Sequence, residues 1–275
     1  METNPVITVI AEGLNFPEGP AFDARGTLWC TELKAGNLVC YQDGRLDRIH
    51  AGGNVNGMVF DSAGDIWFTD SENHQIRKYS PSLKTFETIL TEVEGERLNR
   101  PNDLAFDQAG NLVVSCHADG RTEPRGYLLV LTRDRKAKII SRNKYFTNGI
   151  AFSSDCKWIY FSETYKWRVW RARWDASTAT MYDEQPWVEV GGPIGPDGLA
   201  FDANGNLYVP VFDQGRIAVV APDGKIIETI QLPVKRPTNC AFDPLGRYGL
   251  VVTDADRGCL LALDLKRKGA SIYKG

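Results

Sequence analysis

The sequence predicts an all-β protein, a six-bladed β-propeller whose blades are four-stranded antiparallel sheets. A short phrase ending in Phe-Asp or Phe-Ser occurs six times, and its phenylalanines are 38, 46, 46, 49 and 41 residues apart. A period of this length is typical of propellers and solenoids. Several short β-rich runs in each repeat favour the propeller, because a blade is a small sheet repeated around an axis. The six phenylalanines are Phe22, Phe60, Phe106, Phe152, Phe201 and Phe242.

The second repeat shows the expected strands most plainly. Its β-rich runs are residues 57–60, 66–69, 76–79 and 86–90. Turn residues separate these runs, as at the boundaries of short strands. We therefore expect four strands from each repeat.

An Asp-x-x-Gly turn joins the first and second strands of most repeats. Asp accepts backbone hydrogen bonds at the first position of such a turn, and Gly supplies the positive φ that the last position needs. We interpret these aspartates as structural. In the fourth repeat Cys156 replaces the glycine, so that turn either changes type or tolerates local strain. The five regular turns are Asp23–Gly26, Asp61–Gly64, Asp107–Gly110, Asp202–Gly205 and Asp243–Gly246.

The two ends of the chain are expected to share the last blade. The residues after Phe242 and before Phe22 together amount to about one further interval of the repeat. We expect Val6–Ile10 to form a strand beside strands near Leu260–Leu263 and Ser271–Tyr273. This pairing would close the circle, with residues 1–275 forming one domain.

Composition narrows the functional classes. The net charge is −3, no apolar run approaches the roughly 20 residues of a membrane-spanning helix, and no basic-then-apolar leader opens the sequence. We therefore expect a cytoplasmic protein with no nucleic-acid or membrane partner. The six cysteines form no Cys-x-x-Cys pair and the three histidines show no His-x-x-x-His spacing, which argues against zinc bound by thiolates.

A varied polar residue stands four positions before each phenylalanine. Counting back by twos keeps to one face of a strand, and the residue at minus two is always apolar. The minus-two residue and the phenylalanine should therefore be buried between blades, while the minus-four residue emerges at the mouth of the central channel. Prolines precede it in four repeats and restrict the approaching backbone. The minus-four residues are Glu18, Asn56, Asn102, Asn148, Asp197 and Thr238.

Four of these phrases resemble the metal-site phrases of the SMP-30/gluconolactonase/LRE-like family, in the order that the family has them. The resemblance extends over nearly the whole chain, and it implies a six-bladed propeller with one divalent cation in its channel. It also implies hydrolysis of intramolecular esters, commonly sugar lactones. The four phrases are Phe16-Pro17-Glu18-Gly19-Pro20, Arg100-Pro101-Asn102-Asp103, Thr147-Asn148-Gly149-Ile150-Ala151-Phe152 and Pro196-Asp197-Gly198-Leu199-Ala200-Phe201.

The resemblance implies a role for individual residues. Glu18, Asn148 and Asp197 match the family's metal ligands. Asn102 matches a residue beside the metal that touches substrate or water, and Arg100 matches an arginine that contacts substrate oxygens in some members. The family's further substrate-side acid has no clear match, and either His117 or Asp119 takes its place.

Elementary chemistry supports such a site. Two carboxylates with one or two amide oxygens form an all-oxygen set, which suits Ca²⁺ best, with Mg²⁺, Mn²⁺, Zn²⁺ and Fe²⁺ as alternatives. Three or four protein ligands leave positions open for water and a lactone carbonyl. We hypothesise that Asp197 is the catalytic residue, which accepts a proton from the attacking water and returns it to the ring oxygen. The predicted function is a metal-dependent lactonase that hydrolyses a sugar-type (aldono) lactone.

Two other functions stay open at this point. The stretch from Thr69 to Ile76 resembles the repeat of NHL propellers, which bind a protein or RNA and catalyse nothing. The mixture of Glu, Asn and Asp at the minus-four position argues against a plain scaffold. The second alternative is a different hydrolase on the same metal site, acting on another ester, another lactone or an organophosphate.

Overall fold

The computed structural model describes residues 5–275, and it is a six-bladed β-propeller as the sequence predicted. Each blade is an antiparallel sheet in which the strands follow one another from the axis outward. Strand β1 is Val6–Glu12. Blade 1 contains β2 (Pro17–Phe22), β3 (Leu28–Glu32), β4 (Asn37–Gln42) and β5 (Arg45–His50). Blade 2 contains β6 (Val55–Phe60), β7 (Ile66–Asp70), β8 (Gln75–Ser80) and β9 (Thr85–Leu90).

A small hairpin, which the sequence analysis did not predict, follows blade 2. It consists of β10 (Glu92–Val93) and β11 (Glu96–Arg97). Blade 3 contains β12 (Pro101–Phe106), β13 (Leu112–Cys116), β14 (Gly126–Leu131) and β15 (Ala137–Lys144). Blade 4 contains β16 (Thr147–Phe152), β17 (Trp158–Glu163), the 3₁₀ turn Thr164–Lys166, β18 (Arg168–Asp175) and β19 (Thr180–Glu189).

The inner strand of blade 5 is interrupted. Two short strands, β20 and β21, both pair with the second strand, and between them the amide of Asp197 still donates to the carbonyl of Pro210. Blade 5 contains β20 (Gly195–Pro196), β21 (Ala200–Phe201), β22 (Leu207–Phe212), β23 (Arg216–Val220) and β24 (Ile226–Gln231). Blade 6 contains β25 (Pro237–Phe242), β26 (Leu250–Asp254) and β27 (Cys259–Asp264). Each of the six repeat phenylalanines is the last residue of its inner strand.

The N-terminal strand closes the ring. Strand β1 pairs with β27 as the fourth strand of blade 6, in a register that places Val6 opposite Asp264. The part of the prediction that concerned Val6–Ile10 is confirmed, and the part that concerned Ser271–Tyr273 is wrong. Since β1 already covers the outer edge of β27, the following chain has no free edge to join.

The last residues instead cross the phenylalanine end of the ring. The amide of Ala270 donates to the carbonyl of Phe201, the hydroxyl of Tyr273 donates to the carbonyl of Ser154, and Ser62 donates to the carbonyl of Gly275. These three contacts are in blades 5, 4 and 2. Together with the inner strands, the tail encloses a cavity of about 150 Å³ in the channel.

The hydrophobic core is divided among the gaps between neighbouring blades. Leu104 and Phe106 of blade 3 pack with Trp67 of blade 2, whereas Ala105 between them packs with Ile150 of blade 4. This alternation follows from the two-residue period of a strand. It confirms that the minus-two residues and the phenylalanines fill the wedges between blades.

The Asp-x-x-Gly turns have the predicted construction. Asp23 Oδ1, for example, accepts the amides of Arg25 and Thr27, and Gly26 has φ of +79°. In blade 4, Cys156 adopts φ of +54°, so the turn keeps its left-handed position with a residue that is not glycine. Among residues 5–275, no helix has the length and apolar character needed to cross a membrane.

Candidate metal centre

The six minus-four residues lie where the inner strands begin, and all are buried. In five blades the pairing register of the inner strand shifts just after or across this residue, as between Glu18 and Ala21 of β2 or between Thr147 and Ile150 of β16. In blade 5 the strand is broken there, around Asp197. Such irregularities change the direction of a side chain without ending the sheet. The polar side chains can therefore leave the ladder for the channel.

Hydroxyl groups from the neighbouring blade hold the backbone of these residues. Thr31 donates to the carbonyl of Asn56 at 2.7 Å, and Ser162 donates to the carbonyl of Asp197 at 2.7 Å. Thr69 makes the equivalent bond to Asn102. The donors are one residue before the end of a second strand, and all are fully buried. Each bond fixes the backbone of one blade relative to the next, so the positions of the candidate ligands are coupled around the ring.

Glu18, Asn148 and Asp197 converge in the channel. Burial raises the pKa of Glu18 well above its usual range, and the charges of Asp197 and Asp103 raise that pKa further. Burial and the charge of Asp103 likewise raise the pKa of Asp197, while the amide of Asn148 acts in the opposite direction. These effects require the side chains to be close together. Within residues 5–275, no cationic side chain is among the groups that shift either pKa, so the acids lack a balancing charge from this part of the protein.

Asp103 is part of this centre, although the sequence analysis did not single it out. It is buried at the minus-three position and lines the channel cavity, and burial raises the pKa of its carboxyl to about 6. The minus-three position is glycine in four repeats, and the exceptions are Asp103 and Asn239. A Cβ atom at Gly57 would collide with the carboxylate of Asp103, and one at Gly198 with the amide of Asn239. This break in the glycine pattern was the signal that could have revealed both residues.

The amide of Asn148 is held by Thr164, which the sequence analysis also missed as a contributor. Asn148 Nδ2 donates to Thr164 Oγ1 at 3.3 Å, and Thr164 Oγ1 donates to the carbonyl of Pro196 at 2.8 Å. Within residues 5–275, Oδ1 of Asn148 accepts no hydrogen bond. That oxygen is therefore available to a ligand.

Arg100 and His117 lie together at the start of blade 3. Burial lowers the pKa of His117 to about 3, a value that already includes the smaller effect of the charge of Arg100. The imidazole stacks on Phe146 with 4.2 Å between ring centroids, and its Nδ1 accepts the amide of Asp119 at 3.0 Å. The guanidinium of Arg100 is exposed, and among the described residues it forms no ion pair with a carboxylate.

The structure distinguishes the two residues between which the sequence left a choice. His117 is buried and follows the second strand of its blade, as Thr164 does in blade 4. The carboxylate of Asp119 is exposed and forms an ion pair with Arg121 at 3.4 Å. The side chain of Asp119 is thus directed to solvent, whereas its backbone fixes the imidazole.

The residues present fit a hard divalent cation. No group of three His, Cys, Asp or Glu side chains with the spacing of a metal site occurs among residues 5–275. Glu18 and Asp197 therefore need the free Oδ1 of Asn148 to complete a ligand set. All three ligand atoms are oxygen, as Ca²⁺ and Mg²⁺ prefer, and a divalent charge would offset the uncompensated carboxylates.

The chain is similar in sequence and in fold to several known proteins. The pattern that defines the SMP-30/Gluconolactonase/LRE-like region matches residues 7–256. A 6-deoxy-6-sulfogluconolactonase of Pseudomonas putida is 31% identical over 163 residues, which are 57% of this chain and 54% of that protein. A gluconolactonase of Zymomonas mobilis is 25% identical over 90% of this chain and 78% of its own length. The crystal structure of a calcium-binding protein, regucalcin, from Agrobacterium tumefaciens has a TM-score of 0.84 at 20% identity, covering 99% of this chain and 96% of the other.

Proposed function

Because the chain belongs to the SMP-30/gluconolactonase/LRE-like family, we propose that it is a metal-dependent lactonase acting on a sugar-type lactone. One observation carries the proposal. Glu18, Asn148 and Asp197 come from three different blades, yet the charge of Asp197 raises the pKa of Glu18, the amide of Asn148 lowers that of Asp197, and no cationic side chain from residues 5–275 balances the two acids. Buried acids without such a partner are costly to a fold, so their placement together favours a function.

Glu18, Asn148 and Asp197 would hold one divalent cation, with Ca²⁺ the first candidate. When bound, the cation would supply Lewis-acid chemistry, polarising the lactone carbonyl and making a nearby water more acidic. Asp197 accepts one proton from the water while the oxygen of that water forms a bond to the carbonyl carbon of the lactone. The bond between that carbon and the ring oxygen then breaks, and Asp197 returns the proton to the ring oxygen. The product is the open hydroxy acid.

The groups beside this centre are suited to a substrate rich in oxygen atoms. Since Nδ1 of His117 accepts a backbone N–H, the ring proton of the neutral imidazole is on Nε2, which can only donate. Arg100 is also a donor, and Asn102 can both donate and accept. Hydroxyl and carbonyl oxygens of a sugar-type lactone would satisfy these groups. The sulfo group named in the Pseudomonas putida relative makes a sulfonated lactone a useful second probe of Arg100.

The decisive experiment combines metal analysis with a pH-indicator assay on a substrate panel. The panel contains aldonolactones, a sulfonated aldonolactone, an aryl ester and an organophosphate, each with Ca²⁺, Mg²⁺, Mn²⁺, Zn²⁺ or Fe²⁺. We expect the highest kcat/KM with a sugar-type lactone, loss of activity on chelation and recovery with added Ca²⁺. Asp197→Asn and Glu18→Gln should each lower kcat/KM at least about 100-fold, a typical effect of removing a catalytic electrostatic group.

A matched control is Asp134→Asn, the same chemical change at an exposed turn of blade 3. Full activity in this variant, with all three variants unfolding cooperatively at or above the wild-type temperature in the absence of metal, would assign the losses to the channel. Turnover that persists in both channel variants at saturating metal would refute the proposed site. Activity confined to the aryl ester or the organophosphate would indicate the different hydrolase, and absence of both hydrolysis and cation binding would indicate a non-catalytic propeller.

A further inference from the structure

We propose that Thr164 is a positioning residue that determines which end of the Asn148 amide faces the cation. The inference rests on the proposed function, because it concerns how a ligand of that site is prepared. An asparagine side chain has an oxygen and a nitrogen of nearly equal size, and only the oxygen can bind a metal ion. The protein therefore has to specify the orientation of the amide as well as its position.

The hydroxyl of Thr164 specifies that orientation through its own hydrogen bonds. A threonine hydroxyl has one proton, and here the proton goes to the carbonyl of Pro196 at 2.8 Å. Toward Asn148 the same oxygen can therefore act only as an acceptor. It receives an N–H of Nδ2 at 3.3 Å, whereas a reversed amide would place two acceptors against each other.

Both residues are buried, so water does not readily replace this contact. Asn148 is 6% exposed and Thr164 is 3% exposed. A reversed amide at this place would lose its donor contact and gain a repulsive one, and unsatisfied buried polar groups are costly. Nδ2 is consequently directed to Thr164, and it also lowers the pKa of Asp197 by turning an N–H toward that carboxylate, while among residues 5–275 no donor reaches Oδ1.

Comparison between blades shows that the hydroxyl is specific to the blade that supplies the amide ligand. In several blades the residue that follows the second strand makes the same backbone hydrogen bond. Its amide donates to the carbonyl of the residue that stands two positions before the minus-four residue. Leu33, Ser71, His117, Thr164 and Ala255 all make this bond. Within residues 5–275, Thr164 alone among these five uses its side chain to hold a minus-four side chain. The backbone does not require a hydroxyl there, since Leu33 and Ala255 have none.

The contact to Pro196 extends the effect to the next ligand. Pro196 immediately precedes Asp197, whose carbonyl accepts the hydroxyl of Ser162 at 2.7 Å. Thr164 is thus hydrogen-bonded to the side chain of one proposed ligand and to the backbone beside another. Its hydroxyl couples blade 4 to blade 5 at the centre of the site.

The test is a double-mutant cycle that measures cation affinity by calorimetry on chelator-treated protein. Thr164→Val keeps the shape of the side chain and removes the hydroxyl, so both amide orientations become accessible. We expect Ca²⁺ to bind about tenfold more weakly, as the loss of one hydrogen bond implies. Thr164→Ser restores the hydroxyl and should bind within about threefold of wild type.

Asn148→Asp supplies the second arm of the cycle. A carboxylate has two equivalent oxygens and no wrong orientation, and the oxygen beside Thr164 would face an acceptor, so adding Thr164→Val to this variant should not weaken Ca²⁺ binding. Ser71→Ala is the matched control, because it removes a hydroxyl from the same position of blade 2, where the partner is the backbone of Asn54. Its Ca²⁺ affinity should equal that of wild type. Thermal unfolding of each metal-free variant checks that the fold is retained.

Four results would overturn the inference. Equal Ca²⁺ affinity of wild type and Thr164→Val would show that the amide is oriented without the hydroxyl. Equal weakening by Thr164→Val in the wild-type and Asn148→Asp backgrounds, or failure of Thr164→Ser to restore binding, would show that packing is responsible. A wild-type protein that binds no divalent cation would refute the proposed function itself, whereas the other results refute only the role of Thr164.

Discussion

Asp103, a residue buried beside the candidate ligands, should make the stability of the metal-free protein depend on pH. Burial raises its pKa in the folded protein to about 6, from an ordinary value of 3.8. Between about pH 4 and pH 6 the folded protein therefore holds a proton that the unfolded chain has released, so the free energy of unfolding falls as pH rises through this window. A pKa difference of about two corresponds to roughly 3 kcal/mol. The pKa values of Glu18 and Asp197 are raised in the same direction.

Urea unfolding of chelator-treated protein at pH 4.5 and pH 7.5 measures this effect. The Asp103→Asn variant should lose less stability across the interval than wild type, and it should be more stable than wild type at pH 7.5 by about 1 to 3 kcal/mol. The free energy of unfolding of this variant should still fall somewhat as pH rises, because Glu18 and Asp197 still titrate. The exposed Asp134→Asn change should leave the wild-type slope intact. An equal change in the free energy of unfolding between pH 4.5 and pH 7.5 for wild type and Asp103→Asn would contradict the raised pKa of Asp103.

For individual residues, the sequence predicted some members of the candidate site and not others. The minus-four residues could be predicted, because the two-residue period of a strand and the repeat together define their place. Thr164 could not be predicted, since its partners Asn148 and Pro196 are 16 and 32 residues away. Such contacts depend on how one blade packs against the next, and no local pattern records that packing. Asp103 could be recognised only as an exception to the glycine found at the minus-three position of four repeats.

The turns between first and second strands give five aspartates of this chain a structural role. Oδ1 of Asp61 accepts the amides of Ala63 and Asp65 at 3.0 and 2.9 Å, and its Oδ2 accepts Nε1 of Trp67 at 2.8 Å. Asp61→Ala should lower the free energy of unfolding by about 2 to 3 kcal/mol, since each bond contributes about 1 kcal/mol. The kcat/KM of the folded variant should stay at the wild-type value, because the turn follows the phenylalanine, at the opposite end of the inner strand from Asn56.

Urea unfolding and steady-state kinetics on the same preparation test both parts of this prediction. Asp61→Asn serves as the control, because it keeps one acceptor oxygen for the turn and should recover part of the stability. A variant of Asp61 with wild-type stability and lost activity would reverse the interpretation of these acids.

Secondary structure could be predicted wherever the local signal and the repeat agreed. The four strands of blade 2 are where the apolar runs placed them. The hairpin β10–β11 was not predicted, because two residue pairs joined at Glu94-Gly95 are too short to show a period. The interruption in blade 5 was also unforeseen, although Gly195, with φ of +125°, and Gly198 stand on either side of Pro196-Asp197. The amide of Asp197 still donates to the carbonyl of Pro210, and glycine eases the irregular backbone around it.

For the whole molecule, the ring explains why residues far apart in sequence can form one centre. Each blade contributes one minus-four residue near the axis, and the hydroxyl bonds between blades fix the contributions relative to one another. Six units and their closure by the N-terminal strand could be read from the repeat. The path of the last residues across the phenylalanine end could not, since it depends on contacts such as that of Tyr273 with Ser154. The opposite end, where the inner strands begin, is defined by similar contacts, among them the stacking of His117 on Phe146.

Closure of the ring by β1 gives the final prediction. Removing residues 1–12 would expose the edge of β27, where Leu260, Leu261 and Leu263 are fully buried. Ile7, Val9 and Ile10 are partly buried and would lose their packing, at up to about 1.5 kcal/mol each, against a total stability of about 5 to 15 kcal/mol. We expect the truncated protein to unfold at least about 10 °C below wild type and to aggregate through the open edge. A synthetic peptide of residues 5–13 should raise its unfolding temperature in proportion to the logarithm of peptide concentration, because binding adds to stability by mass action. The same peptide with Val9→Pro should not, since proline cannot donate to the ladder. A truncated protein that unfolds at the wild-type temperature would mean that β27 needs no partner and that the propeller is held closed by other contacts.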